Sequence, residues 1–165
     1  MPPPTAAYLP SSPPLMLEFV PDLSGNGTNP EAGYNTAAYG FSGQISDGDH
    51  GLTGCFTFNM YSATFGCNST GPPCEFTFTG LQYDVATDGV SPITSQTISV
   101  TACPTLVDCK LRRIMLDDTF VDLNAIRIRA AAGTTPQGWW MDDLHLGWFN
   151  NSCTTGLCRH NAHIR

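Results

Sequence analysis

A chain of 165 residues is long enough to bury one good core and too short for two independent domains once loops are discounted. Its residues are 41% hydrophobic and only 13% charged, and Gly, Pro, Ser, Thr and Asn interrupt it every few positions, which excludes a bundle of long helices and reads as all-β with many turns. Seven Lys and Arg against fourteen Asp and Glu, a formal charge of −7, exclude the clustered basic surface that nucleic acid needs.

Residues 1–14 are rich in Pro, Ser and Ala and read as the end of an extended, polyproline-like linker, leaving 15–165 as a single domain. Met1-Pro2-Pro3-Pro4 is followed by no apolar core of a signal peptide, so that signal is expected elsewhere on a longer, multidomain parent. No apolar run reaches membrane-spanning length. A first strand is predicted over 15–20, followed by a Gly/Asn/Pro stretch over 21–33 that offers nothing to a core. Further strands are predicted over 39–45, 55–64, 75–83, 96–101, 112–116, 125–130 and 139–149, with a helical turn or a loop over 117–124. This spacing predicts an antiparallel β-sandwich.

Alternation predicts which side chains face inward. Phe76 and Phe78 oppose Thr77 and Thr79, and Ile126 and Ile128 oppose Arg127 and Arg129. In the last strand Trp140, Leu144, Leu146 and Trp148 share a face on which Asp142 also falls, while Trp139 lies on the other.

Seven cysteines in so short a chain point to an oxidising compartment and hence to secretion. Three close pairs bracket loop-like segments: Cys67 with Cys74, Cys103 with Cys109, and Cys153 with Cys158, leaving Cys55 as the odd residue. A Cys55–Cys67 bridge with Cys74 left over is the rival arrangement. The ending Cys153, Cys158, His160, His163 superficially resembles a zinc set, but its spacing is off the usual pattern and a disulfide is the stronger reading. Glycosylation sequons at Asn26, Asn68 and Asn150 all fall in turn-like stretches and agree with secretion.

A carboxylate on an apolar strand face costs several kcal/mol unless it is partnered. Asp142 therefore asks for a hard cation such as calcium, whose six to eight oxygen ligands would include Glu18 or Asp22 if the first and last strands are neighbours. The alternative is that Asp142 caps a turn or accepts backbone N–H bonds at a sheet edge. Asp143 points the other way in this register. Adjacent strand residues face opposite sides, so Asp142 and Asp143 are not a glycosidase pair, and nothing selects a partner from Asp47, Asp49, Asp84 and Asp88. Trp139, Tyr34 and Tyr39 are candidates for a sugar-stacking platform, with core or loop packing as the alternative.

The order Leu17-Glu18-Phe19, Asp22-Leu23, Tyr39-Gly40-Phe41 and Trp140-Met141-Asp142-Asp143-Leu144-His145-Leu146 resembles extracellular jelly-roll modules of the galactose-binding-like superfamily. The tail Trp148-Phe149-Asn150-Asn151-Ser152-Cys153 with Gly156-Leu157 is similar to an uncharacterised domain of fungal secreted and cell-wall proteins. The resemblance implies a jelly-roll fold, a structural calcium at Glu18 and Asp142 with Asp143, and carbohydrate binding. It points first to a non-catalytic extracellular module binding cell-wall or other polysaccharide. A structural or adhesive wall domain and a glycan-degrading enzyme are the alternatives.

Overall fold

The computed structural model describes residues 7–23, 40–47, 54–86 and 88–162. Among these, eleven strands and one helix occur in chain order: β1 (Tyr8–Leu9), β2 (Leu17–Phe19), β3 (Gly43–Ser46), β4 (Phe58–Cys67), β5 (Cys74–Asp84), β6 (Gly89–Val100), β7 (Cys109–Lys110), β8 (Arg112–Met115), β9 (Ala125–Ala132), β10 (Thr135–Pro136), β11 (Trp139–Trp148) and α1 (Cys153–Ala162). One sheet runs β10-β9-β5-β6, with β3 also paired to β9, and the other runs β2-β11-β4-β8. Every pairing within these two sheets is antiparallel. The protein is an all-β sandwich.

The five-stranded sheet obeys the predicted alternation. Phe76, Phe78, Ile126 and Ile128 are fully buried, whereas Thr77 pairs with Arg129 and Thr79 with Arg127 on the outer face. From the facing sheet Phe65 of β4 inserts its ring 5.2 Å from Phe76, 5.3 Å from Phe78 and 5.9 Å from Trp139. These tilted and edge-on contacts let large rings interdigitate at crystal-like density. A Cys67–Cys74 disulfide joins the end of β4 to the start of β5, tying one sheet to the other at the edge of this core.

The four-stranded sheet departs from the expected pattern because both of its faces are covered along β4. Thr64 and Gly66 are buried there as well as Ala63 and Phe65. Residues 7–12, expected to be linker, form a strap across the outer face. Tyr8 is 2% exposed, and its hydroxyl donates to the Cys67 carbonyl at 3.1 Å and accepts from the Cys67 N–H at 3.0 Å. Its ring lies where a Cβ on Gly66 would stand, 2.6 Å away, so only glycine admits it. β1 pairs in parallel with β7, and the Cys103–Cys109 disulfide closes the loop before β7 over Trp140. Tyr8, Cys103 and Trp140 make a second small core outside the sandwich.

The third disulfide is Cys55–Cys158, and Cys153 is a free, exposed thiol, which corrects the expected Cys153–Cys158 pair. The reason is the helix that local spacing did not reveal. Residues five apart on an α-helix project about 140° apart around the axis, so Cys153 and Cys158 do not face one another. α1 has no buried residue. A lone ten-residue helix is marginal in water, and this one is held by the long-range disulfide and by a Ser152 cap, whose hydroxyl accepts the Thr155 N–H at 3.3 Å.

Candidate functional site

Strand β11 has two different halves. From Trp139 to Met141 it pairs with β2 on one side and β4 on the other, and all three side chains are buried. Two register shifts against β4 then fall between Asp142 and Leu146, and Asp143 takes φ +49°. A bulge of this kind bends the strand and re-aims the side chains beyond it. Past the bulge Leu146 pairs with Met60 and Trp148 with Phe58, both core-facing, yet Leu146 is 37% and Trp148 45% exposed.

Above them lies a groove of about 610 Å³ at the edge of the sandwich. Phe56 and Phe58 lie along it, Leu146 and Trp148 form one side, and Ile45 with Asp47 the other. The indole of Trp148 is fixed by the edge of Phe56, 6.0 Å away at 76°, and by the Arg159 guanidinium 4.7 Å from the ring centroid. Arg159 is itself anchored by donating to the carbonyls of Cys55 at 2.8 Å and Asn150 at 2.9 Å. The Asp47 carboxylate accepts from Asn124 Nδ2 at 2.8 Å. Asn124, 5% exposed, also accepts the Tyr83 N–H through Oδ1 at 2.7 Å. The groove therefore combines an oriented aromatic ring, an apolar floor and a polar rim, the ingredients of a small-ligand site.

The aromatic residue expected to form a platform is elsewhere. Trp139 is 3% exposed and stacks on Phe19 at 5.0 Å within the main core, because it occupies the inner face of β11. Trp148, expected to be buried, is instead the exposed ring. Trp140 is buried as expected, but under the strap on the outer face, so it does not share a face with Leu146 and Trp148. Tyr34, Tyr39 and Asn26 lie outside the described residues, whereas Asn68 and Asn150 are exposed.

The expected neighbours β2 and β11 are indeed adjacent, but their register sets Glu18 opposite Trp140 and not opposite Asp142. Asp142 is answered from the strap. Its carboxylate accepts the Ser12 N–H at 2.8 Å, the Ser12 hydroxyl at 2.9 Å and the Asp143 N–H at 2.8 Å. The Ser12 N–H bond is the main reason its pKa falls below the ordinary carboxylate value. This is the alternative of a carboxylate accepting backbone N–H bonds. Among the described residues no group of three or more His, Cys, Asp and Glu side chains is arranged to hold a metal, and Glu18 stands beside Trp140. Asp84 and Asp88 belong to the β5–β6 turn, where Asp84 accepts the Ala86 N–H at 2.9 Å and Asp88 accepts the Tyr83 hydroxyl at 2.6 Å. Asp49 is outside the described residues.

Residues 1–159 match the family model described as Domain of unknown function (DUF7371). The chain belongs to that family. No curated protein and no solved structure matches this DUF7371 chain. Its three disulfides mark a protein of an oxidising, extracellular compartment. Among the described residues no helix is long and apolar enough to cross a membrane.

Sequence reasoning missed Trp148 and Arg159 as site residues. The missing signal was the bulge, since unbroken alternation assigns Trp148 to the same face as Trp140. Asp47 was named only as one acid among several. Its place beside the groove arises from β3 pairing with the start of β9.

Proposed function

We propose that this secreted domain is a non-catalytic module that binds polysaccharide, of a cell wall or a similar extracellular matrix, through the groove at Trp148. The observation that carries the reading is a half-exposed, sterically fixed indole beside a polar rim. A pyranose presents an apolar C–H face that stacks on such a ring, and its hydroxyls seek acceptors such as Asp47. The likeness to galactose-binding-like jelly rolls and to fungal cell-wall domains supports the same ligand class. Binding is favoured over hydrolysis because cleavage uses two flanking carboxyls. Asp47 is the one carboxylate lining the groove among the described residues. Calcium is not part of this proposal, since Ser12 already supplies the donors that Asp142 requires.

The test is co-sedimentation with insoluble chitin, glucan and cellulose. Wild type should enter at least one pellet and Trp148→Ala should remain in solution. A wild-type chain that stays in every supernatant would return the domain to the structural or adhesive reading. Release of reducing sugar, abolished by Asp47→Asn, would establish the enzymatic one.

A further inference from the structure

The outer face of the five-stranded sheet offers a second surface with different chemistry. Pairing places Thr77 between Thr97 and Arg129, and Thr79 between Ser95 and Arg127, so two rows of hydroxyls run beside two guanidinium groups. Arg127 is steadied by donating from Nε to Gln44 Oε1 at 3.1 Å, and Arg129 is exposed. At the β6 edge Arg112, reaching over from β8, donates to the Ser99 carbonyl at 2.6 Å, and Asp117 accepts from Gln96 Nε2 at 3.1 Å. The acid on this stretch is Glu75. Two arginines beside one glutamate on these paired stretches contrast with a chain that has seven Lys and Arg against fourteen acids.

None of the exposed large hydrophobic side chains lies on the paired stretches 75–79, 95–99 and 127–131. A protein partner is held mainly by apolar and aromatic anchors at the centre of its interface, and this face lacks them. Guanidinium groups pair bidentately with carboxylates, and hydroxyl rows match a hydroxylated polymer. Arg127 and Arg129 stand roughly 6.6 Å apart along the strand, so one extended chain can reach both. We propose that this face binds an acidic polysaccharide, a polyuronate, with Arg127 and Arg129 on its carboxylates and the Thr77, Thr79, Thr97 and Ser95 hydroxyls on its sugar hydroxyls.

Calorimetry with soluble polygalacturonate, against its fully methyl-esterified form, tests this directly. The acid form should bind, the neutral ester should bind roughly tenfold or more weakly, and 0.5 M salt should abolish the difference. Arg127→Gln/Arg129→Gln should lose the preference for the acid form, while Trp148→Ala retains it, which separates this face from the groove. Should the double variant unfold, Arg129→Gln alone, at an exposed position, should lower affinity severalfold. Equal binding of acid and ester, undiminished affinity in a folded variant, or equally tight binding of poly-glutamate would overturn the proposal.

Discussion

The two halves of β11 carry similar sequence and live under opposite physical regimes. Trp139-Trp140-Met141 is covered on one side by the sandwich core and on the other by the strap and the Cys103–Cys109 loop. Leu144 to Trp148, past the bulge at Asp143, leaves an indole and two leucines more than a third exposed. A run of Trp and Leu is thus not by itself a core. The first half commits its apolar area to stability, and the second holds it available for a ligand.

Substitutions in the first half should therefore be costly. Trp139→Ala removes a ring packed against Phe19, Phe65 and Phe76 and should destabilise by about 3 to 5 kcal/mol. Urea unfolding checks this, and a loss under about 1 kcal/mol would place Trp139 outside the core. Tyr8→Phe keeps the ring packed on Trp140 and deletes the hydroxyl that both donates to and accepts from Cys67. Leaving those buried backbone groups unpaired should lower stability by about 1 to 3 kcal/mol in the same assay.

Asp142→Ala should have a smaller and pH-dependent effect, about 1 kcal/mol near neutrality, because this clasp is partly exposed to solvent. Its folded pKa is depressed below the ordinary value of 3.8, so the folded state binds fewer protons than the unfolded state. Stability from the clasp is present above the unfolded value and disappears as pH falls through the lower folded value. Melting curves of wild type and variant should thus be separated at pH 6 and converge at the acid end. A constant gap across that range would show that the carboxylate charge is irrelevant. Smallest of all, chelation should leave the melting temperature of wild type unchanged. A drop reversed by added calcium would show a metal that the Ser12 clasp does not replace.

Much of the sandwich was legible because period-two alternation survives wherever one face is apolar and the other polar. Phe76 and Phe78 against Thr77 and Thr79, and Ile126 and Ile128 against Arg127 and Arg129, are such cases. The same rule failed where both faces are covered. Trp139 and Trp140 are adjacent and both buried, so alternation could not tell which one faced the sandwich. β1 was hidden in a Pro-rich segment whose two strand residues are recognised only by a partner about a hundred positions away. The terminal helix has no apolar stripe to announce it, and its cross-link closes 103 residues, so the nearer Cys153 drew the pairing. The candidate groove depended on the bulge at Asp143, where an aspartate, a residue that tolerates positive φ, breaks the alternation with no glycine to mark the place.

The measurement that bears most directly on the contrast between the halves is Trp148→Ala, assayed in parallel for polysaccharide co-sedimentation and for unfolding in urea. Sedimentation should be lost with stability changed by no more than about 1 kcal/mol, as expected for a partly exposed surface ring. Retained sedimentation, or a destabilisation as large as that of Trp139→Ala, would contradict the division of β11 into a structural and a binding half.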